Sequence, residues 1–186
     1  TVVRKGKLLT VRSDEVEVGD FIKLERGAEF CADILLLSSA LGDGMAYVET
    51  ANLDGETNLK PRHAIRETQH LTTPAQLDSS SFVVTCDAPN PTLVKWQGVL
   101  DYQGLDYALD VSNIVFRGCK LMNTPWAYGI VLYCGKDTKM MQNLKQKAAK
   151  FSGLDKKLNK LILGLVAVQL LILTVLSSFS VAFAVT

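Results

Sequence analysis

The stretch Glu49-Thr50-Ala51-Asn52-Leu53-Asp54-Gly55-Glu56-Thr57-Asn58-Leu59-Lys60 decides how this chain is read. Strand-forming Ala46, Tyr47 and Val48 precede it, and Pro61 follows. The polar run from Asp54 to Asn58 therefore falls at a strand end, on a loop. Asp-Gly is a turn signal, because glycine adopts positive φ without steric cost. Gly55 also lets the backbone come close to a partner. Glu56 adds a carboxylate, and Thr57 and Asn58 add donors and acceptors. Taken alone, D-G-E-T is also what a solvated turn looks like.

Working outward, the N-terminal side reads as short strands at close spacing. Thr1–Val11 is strand, turn, strand about Lys5-Gly6-Lys7, and Ser13-Asp14-Glu15 breaks the pattern. Val18-Gly19-Asp20 is a turn into Phe21–Leu24. Ala32–Leu37 is an apolar run broken only by Asp33, consistent with a buried strand. Gly42-Asp43-Gly44 is a hairpin-type turn into Ala46–Thr50. Such spacing marks an all-β barrel or sandwich. Beyond the loop, Ala64–Gln69 is a short helix candidate, while Thr72-Thr73-Pro74 and Asp78–Ser81 read as loop. Phe82–Cys86 is a strand. Leu93–Trp96 and Val99–Tyr102 read as a hairpin about Gln97-Gly98, and Asp101–Asp110 as polar loop. Trp126–Cys134 is a β-rich run, and strands from Phe82 onward are expected to close the sheet begun before the loop.

Asp137 is placed as an N-cap for a helix over Thr138–Lys150, with Met140, Met141 and Leu144 in the core. Ser152-Gly153 interrupts, and helix resumes near Asp155. Leu161–Thr186 contains no charged residue in 26 positions. As a helix it would extend about 39 Å, and a bilayer core needs about 20 residues. It is expected to span a membrane, because no polar face remains for a soluble packing. Lys147, Lys150, Lys156, Lys157 and Lys160 precede it against Asp155 alone, so the positive-inside bias puts that side in the cytosol.

Composition bounds the rest. The 186 residues fit one domain plus extras, and a net charge of +1 identifies no partner class. The mean hydropathy of +0.17 is raised by the C-terminal segment. Cys31, Cys86, Cys119 and Cys134 are far apart without a C-x-x-C pair, so zinc is not expected and the cysteines read as reduced thiols. His63 and His70 read as surface histidines. No Walker-type phosphate loop occurs. Thr1 is not an initiator, so the chain is expected to be a piece of a longer protein.

The twelve-residue string closely resembles the signature of the phospholipid-translocating P-type ATPases, the flippases. There it lies on the actuator domain, which dephosphorylates the enzyme. Other pumps of the class carry a T-G-E form, and D-G-E-T followed by N-L-K resembles the lipid-pumping branch. Val18-Gly19-Asp20, Ala32–Leu37, Arg117-Gly118, Asn123-Thr124, Gly135 with Asp137-Thr138-Lys139, and Asn143 match in order. The resemblance implies a distorted β-barrel or jelly-roll actuator domain over 1–145, a lysine-rich helical linker over 146–160 and a transmembrane helix over 161–186. It implies that Glu56 positions a water to hydrolyse an aspartyl phosphate. Gly55 would permit close approach, Thr57 would hydrogen-bond water or phosphate, and Asp54 would hold the turn by an Asx-type bond. The phosphorylated aspartate motif, D-K-T-G-T, has no match here. The resemblance therefore implies that phosphorylation and nucleotide-binding domains of the same protein bind ATP and Mg²⁺ outside these residues. It further implies a phospholipid substrate, a glycosylated accessory subunit, and a plasma-membrane, Golgi or endosomal location, with no nucleic-acid partner. Two positions depart from the pattern: Cys31 stands where proline is usual, and Met122 where arginine is usual. The alternatives are a cation-pump actuator, whose loop would read T-G-E-S, and a membrane-anchored β module that only binds partners.

Overall fold

The computed structural model describes residues 1–148 and 153–184, with side chains described over 1–144 and 157–177. These residues fall into two units, Thr1–Lys145 and Gln146–Thr186. The first unit is mainly β, with several antiparallel sheets and small helices, as expected from the sequence.

In chain order, β1 (Val2–Arg4) and β2 (Lys7–Leu9) make the first hairpin. β3 (Phe21–Glu25) buries Ile22 and Leu24. β4 (Asp33–Ser39) is buried along its whole length. β5 (Met45–Glu49) leads into a single helical turn, α1 (Ala51–Asp54), and then β6 (Lys60–His63). After α2 (Pro74–Ser79) come β7 (Phe82–Cys86), β8 (Gly98–Tyr102) and β9 (Leu105–Leu109). β10 (Ile114–Val115), β11 (Lys120–Met122), β12 (Trp126–Tyr133) and α3 (Lys139–Ala148) complete the unit.

Six strands pair in the order β10-β4-β12-β3-β1-β2. The late strand β12 thus lies between two early ones, β4 and β3, and covers both. Close approach depends on Gly129, because a Cβ there would sit 2.6 Å from the Leu35 carbonyl oxygen and 2.4 Å from Ile34 Cδ1. A second sheet, β11-β5-β6, carries the polar loop. It is tied to the first by Ser39 Oγ, which donates to the Met45 carbonyl at 2.6 Å, and Thr124 Oγ1, in the link from β11 to β12, accepts the Tyr47 N–H at 3.1 Å. The third sheet is β7-β8-β9.

Several expectations are corrected. Gly42–Gly44 does not close a hairpin, because β4 and β5 belong to different sheets. The hairpin expected about Gln97-Gly98 turns instead at Gln103-Gly104, both in the left-handed region (φ 55° and 77°), between β8 and β9, and Gly98 opens β8. Leu93–Trp96 forms no strand, and the segment read as polar loop contains β9. Asp101 and Asp106 face each other on the solvent side, while Leu100, Tyr107 and Leu109 turn inward; the polar face hid the alternation. The segment 74–79 is helical rather than loop. Thr73 and Gln76 form a reciprocal cap, Pro74 begins the helix, and Leu77 is buried beneath it. Near α3, Gly135–Asp137 is a 3₁₀ turn, and the helix starts after Thr138 rather than after Asp137. Leu144 is 51% exposed, and Met140 and Met141 are half-buried.

The root of α3 is fastened from two directions. Buried Asp33 accepts the backbone N–H of Arg117 at 2.7 Å and of Lys139 at 2.8 Å. Lys139 is itself buried, and its ammonium donates to the Asn90 carbonyl, the Asn90 side chain and the Thr92 carbonyl. Asn143, one turn on, donates to the Pro91 carbonyl at 2.7 Å. Burial, only partly offset by the two N–H donors and the nearby cations, pushes the Asp33 carboxyl up to about 6.

The second unit is described by α4 (Gly153–Ala184). Within it, the 21 residues Lys157–Ser177, with mean hydropathy 2.3, are long and apolar enough to cross a membrane. Their side chains are not buried within the protein. The expected helix end at Lys150, the break at Ser152 and the last two positions of the expected span, Val185 and Thr186, lie outside the described residues. So do the side chains of Lys147, Lys150 and Lys156.

Candidate catalytic loop

Strand β5 delivers the chain to Thr50, whose carbonyl accepts the N–H of Leu53 at 2.8 Å and of Asp54 at 3.1 Å. The polar run thus begins with a helical turn, which a plain loop reading misses. Gly55 ends that turn at φ 78°, ψ 1°, with its N–H bonded to the Ala51 carbonyl. A Cβ at Gly55 would meet no atom within 4 Å. The glycine is therefore required by the left-handed backbone and not by crowding, and the space beside it is open.

Asp54 is the most heavily engaged side chain of the loop. Its oxygens accept the Thr50 hydroxyl at 2.9 and 3.0 Å, the Glu56 N–H at 3.0 Å and the Lys60 ammonium at 2.6 Å. The bond to an N–H two residues on is the Asx geometry. Partial burial works against ionisation. The Lys60 ammonium, the Glu56 N–H and the Thr50 hydroxyl together outweigh it and hold the carboxyl below its ordinary range. Thr50 is 2% exposed, so the anchor reaches into the core.

Glu56 lies at the rim, with its side chain 61% exposed. Among the described residues, its carboxylate has one partner, Lys60, at 2.8 Å. Thr57 and Asn58 are exposed beside it. The four residues singled out from the sequence, Asp54, Gly55, Glu56 and Thr57, thus share one exposed bend.

Two neighbours were not singled out. Lys60, at the start of β6, bridges Asp54 and Glu56. The pairing with these two carboxylates, Asp54 first, raises the ammonium above its ordinary value. Asn52 donates to the Gly118 carbonyl at 3.2 Å and seats α1 on the Arg117-Gly118 turn. The sequence holds a signal for Lys60, since N-L-K directly follows D-G-E-T, but nothing in its spacing says that the chain folds back.

Other groups offer less chemistry. Among the described residues, no three His, Cys, Asp or Glu side chains gather to hold a metal ion. Burial pushes the Cys119 thiol up to about 11, away from nucleophilic character. His63 and His70 are exposed. Of the two departures from the flippase pattern, Cys31 is half-buried before Ala32, and Met122 ends β11. Neither side chain belongs to the bend.

Comparison with known proteins places these features. Residues 1–146 match the family model of the P-type ATPase actuator domain. The chain is 42% identical over 163 residues to the probable phospholipid-transporting ATPase IM of Homo sapiens, covering 87% of this chain and 14% of that protein. The phospholipid-transporting ATPase FetA of Mus musculus gives the same identity, length and coverage. The probable phospholipid-transporting ATPase 4 of Arabidopsis thaliana is 41% identical over 164 residues, 88% of this chain and 14% of that protein. The chain thus spans only 13–14% of the length of the curated relatives it matches.

Proposed function

The chain belongs to the P-type ATPase actuator domain family, and from that premise we propose that it is the actuator segment of an ATP-driven phospholipid pump, with Glu56 as its hydrolytic carboxylate. In the proposed step a water oxygen attacks the phosphorus of an aspartyl phosphate on another domain. The P–O bond to the aspartate breaks, its electron pair stays on the aspartate carboxylate, and the water proton passes to Glu56. Inorganic phosphate then leaves. Phosphoryl transfer needs little from the protein beyond placement and charge, and a carboxylate about 3 Å from the water supplies both. Thr57 holds the water or a phosphate oxygen, Gly55 gives clearance, and Asp54 keeps the bend in shape.

One observation carries this reading. Within a single bend one carboxylate, Asp54, is held by three donors, the buried Thr50 hydroxyl, the Glu56 N–H and the Lys60 ammonium, while the next, Glu56, is presented outward. A group that must meet a second domain has to stand where Glu56 stands. ATP and Mg²⁺ belong to the remaining domains of the whole enzyme in this reading, and a glycosylated accessory subunit accompanies it. The phospholipid specificity of the similar pumps, together with N-L-K after D-G-E-T, favours a lipid over a cation as cargo. The β unit is cytosolic and the apolar stretch of α4 crosses the membrane, so rotation of the loop onto the phosphorylated aspartate pulls on the 146–160 segment and moves that helix.

The test is Glu56→Gln in a full-length pump carrying this chain. Phosphoenzyme should form from ATP and then persist. Decay at the wild-type rate removes Glu56 from the role.

A further inference from the structure

Glu56 alone is poorly placed to act. Its side chain is long and 61% exposed, so nothing in the core fixes its rotamers, and an aimless carboxylate faces one particular water only part of the time. The structure supplies a support, built in three links. Buried Thr50 holds Asp54 through its hydroxyl, at 2.9 and 3.0 Å. Asp54 holds the Lys60 ammonium at 2.6 Å, and Lys60 holds Glu56 Oε2 at 2.8 Å. Lys60 is also fixed from behind, because it opens β6 and pairs with Val48 of β5, whose side chain is in the core. The ammonium is therefore set by the fold on one side and by an anchored carboxylate on the other.

Exposed ion pairs usually contribute little to stability. Stability is not what this one controls. A lysine shared between two carboxylates, one of them immobilised, dictates where the other points. It occupies Oε2 and leaves Oε1 to take the proton of the attacking water. We propose, on the footing of the hydrolytic reading above, that Lys60 is a positioning residue for dephosphorylation: it acts through Glu56 by holding one oxygen of its carboxylate, and takes no proton itself. The lysine of N-L-K thereby gains a physical task distinct from the D-G-E-T residues.

The experiment compares phosphoenzyme decay in a full-length pump for wild type, Glu56→Gln, Lys60→Met, Lys60→Arg and the Glu56→Gln/Lys60→Met double variant. Phosphoenzyme formation from ATP serves as the check on folding, and Lys60→Gln replaces Lys60→Met if the latter fails it. Misplacement of a reacting group by about 1 Å costs on the order of a hundredfold. Lys60→Met should therefore slow decay about tenfold to a hundredfold while phosphoenzyme still forms. Lys60→Arg, whose fork reaches both carboxylates, should restore most of the rate. The double variant should decay no more slowly than Glu56→Gln alone, because a residue acting through Glu56 has nothing left to position. Wild-type decay in Lys60→Met, with Glu56→Gln still blocked, overturns the Lys60 role and leaves the hydrolytic reading standing. So does a double variant slower than Glu56→Gln by the full Lys60→Met factor, which would mean that Lys60 touches the phosphoryl group independently. Normal decay in Glu56→Gln is a different failure, that of the hydrolytic reading, and takes this role with it.

Discussion

Replacing Thr50 by valine tests whether the bend is anchored as described. Valine matches threonine in shape, so no void opens, and the position stays buried. What disappears is the hydroxyl that reaches both Asp54 oxygens at 2.9 and 3.0 Å. Hydrogen bonds to charged groups contribute about 1.5–3 kcal/mol net. The Asp54 side chain is 27% exposed, so water replaces part of the lost bond, and the added methyl of valine recovers some apolar burial. The expected cost is thus about 1–2 kcal/mol, or roughly 3–6 °C in the melting midpoint of a unit this size. Thr50→Ser keeps the hydroxyl but removes a buried methyl, at a cost of about 1 kcal/mol, so it controls for the hydroxyl in the functional arm, where it should lie close to wild type. Chemical denaturation of the chain in detergent measures the stability arm. Phosphoenzyme decay in a full-length pump measures the functional arm, where Thr50→Val should be slower than Thr50→Ser. A valine variant as stable as wild type, with unchanged decay, would refute the idea that Thr50 supports the bend.

Two further outcomes follow from the fold. Gly129→Ala should destabilise the first unit by about 3 kcal/mol, because the new Cβ would meet the Leu35 carbonyl at 2.6 Å, a backbone atom held in the β4–β12 pairing; urea unfolding reads this directly. Asp33 makes stability depend on pH. Its carboxyl is raised to about 6 from 3.8, so the folded state binds a proton that the unfolded chain does not hold between those values. That stabilisation is complete below about 3.8 and is lost as pH rises through about 6. Wild type should gain about 1 kcal/mol between pH 7 and pH 5 relative to Asp33→Asn; parallel pH profiles for the two would contradict the assignment.

Much of the architecture was legible because the residues that carry it obey one rule at a time. The run Ala32–Leu37, apolar but for Asp33, reads as a covered strand, and the structure buries all of it. Asp-Gly at 54–55 demanded a left-handed residue, and Gly55 has one. The misses came where two rules compete. β9 alternates correctly, but Asp101 opposite Asp106 on the wet face made the pair look like loop. The α2 helix was signalled by Thr73, Pro74 and Gln76 as a capped start, yet the serines after it resembled a turn. The switch of sheets at Gly42–Gly44 was hidden because pairing partners far along the chain, β12 for β4 and β11 for β5, decide it. At the bend itself, the identity of Glu56 as an outward carboxylate was readable, whereas the closure of Lys60 onto it depended on β6 returning beside β5.

The fastening of α3 has a mechanical corollary. A helix whose first turn is bolted to a buried aspartate and whose next turn grips a neighbouring loop behaves as a lever with a welded base. A load on the first turns of α3 falls on Asp33 and the 90–92 loop together, so these turns move with the β unit as one body.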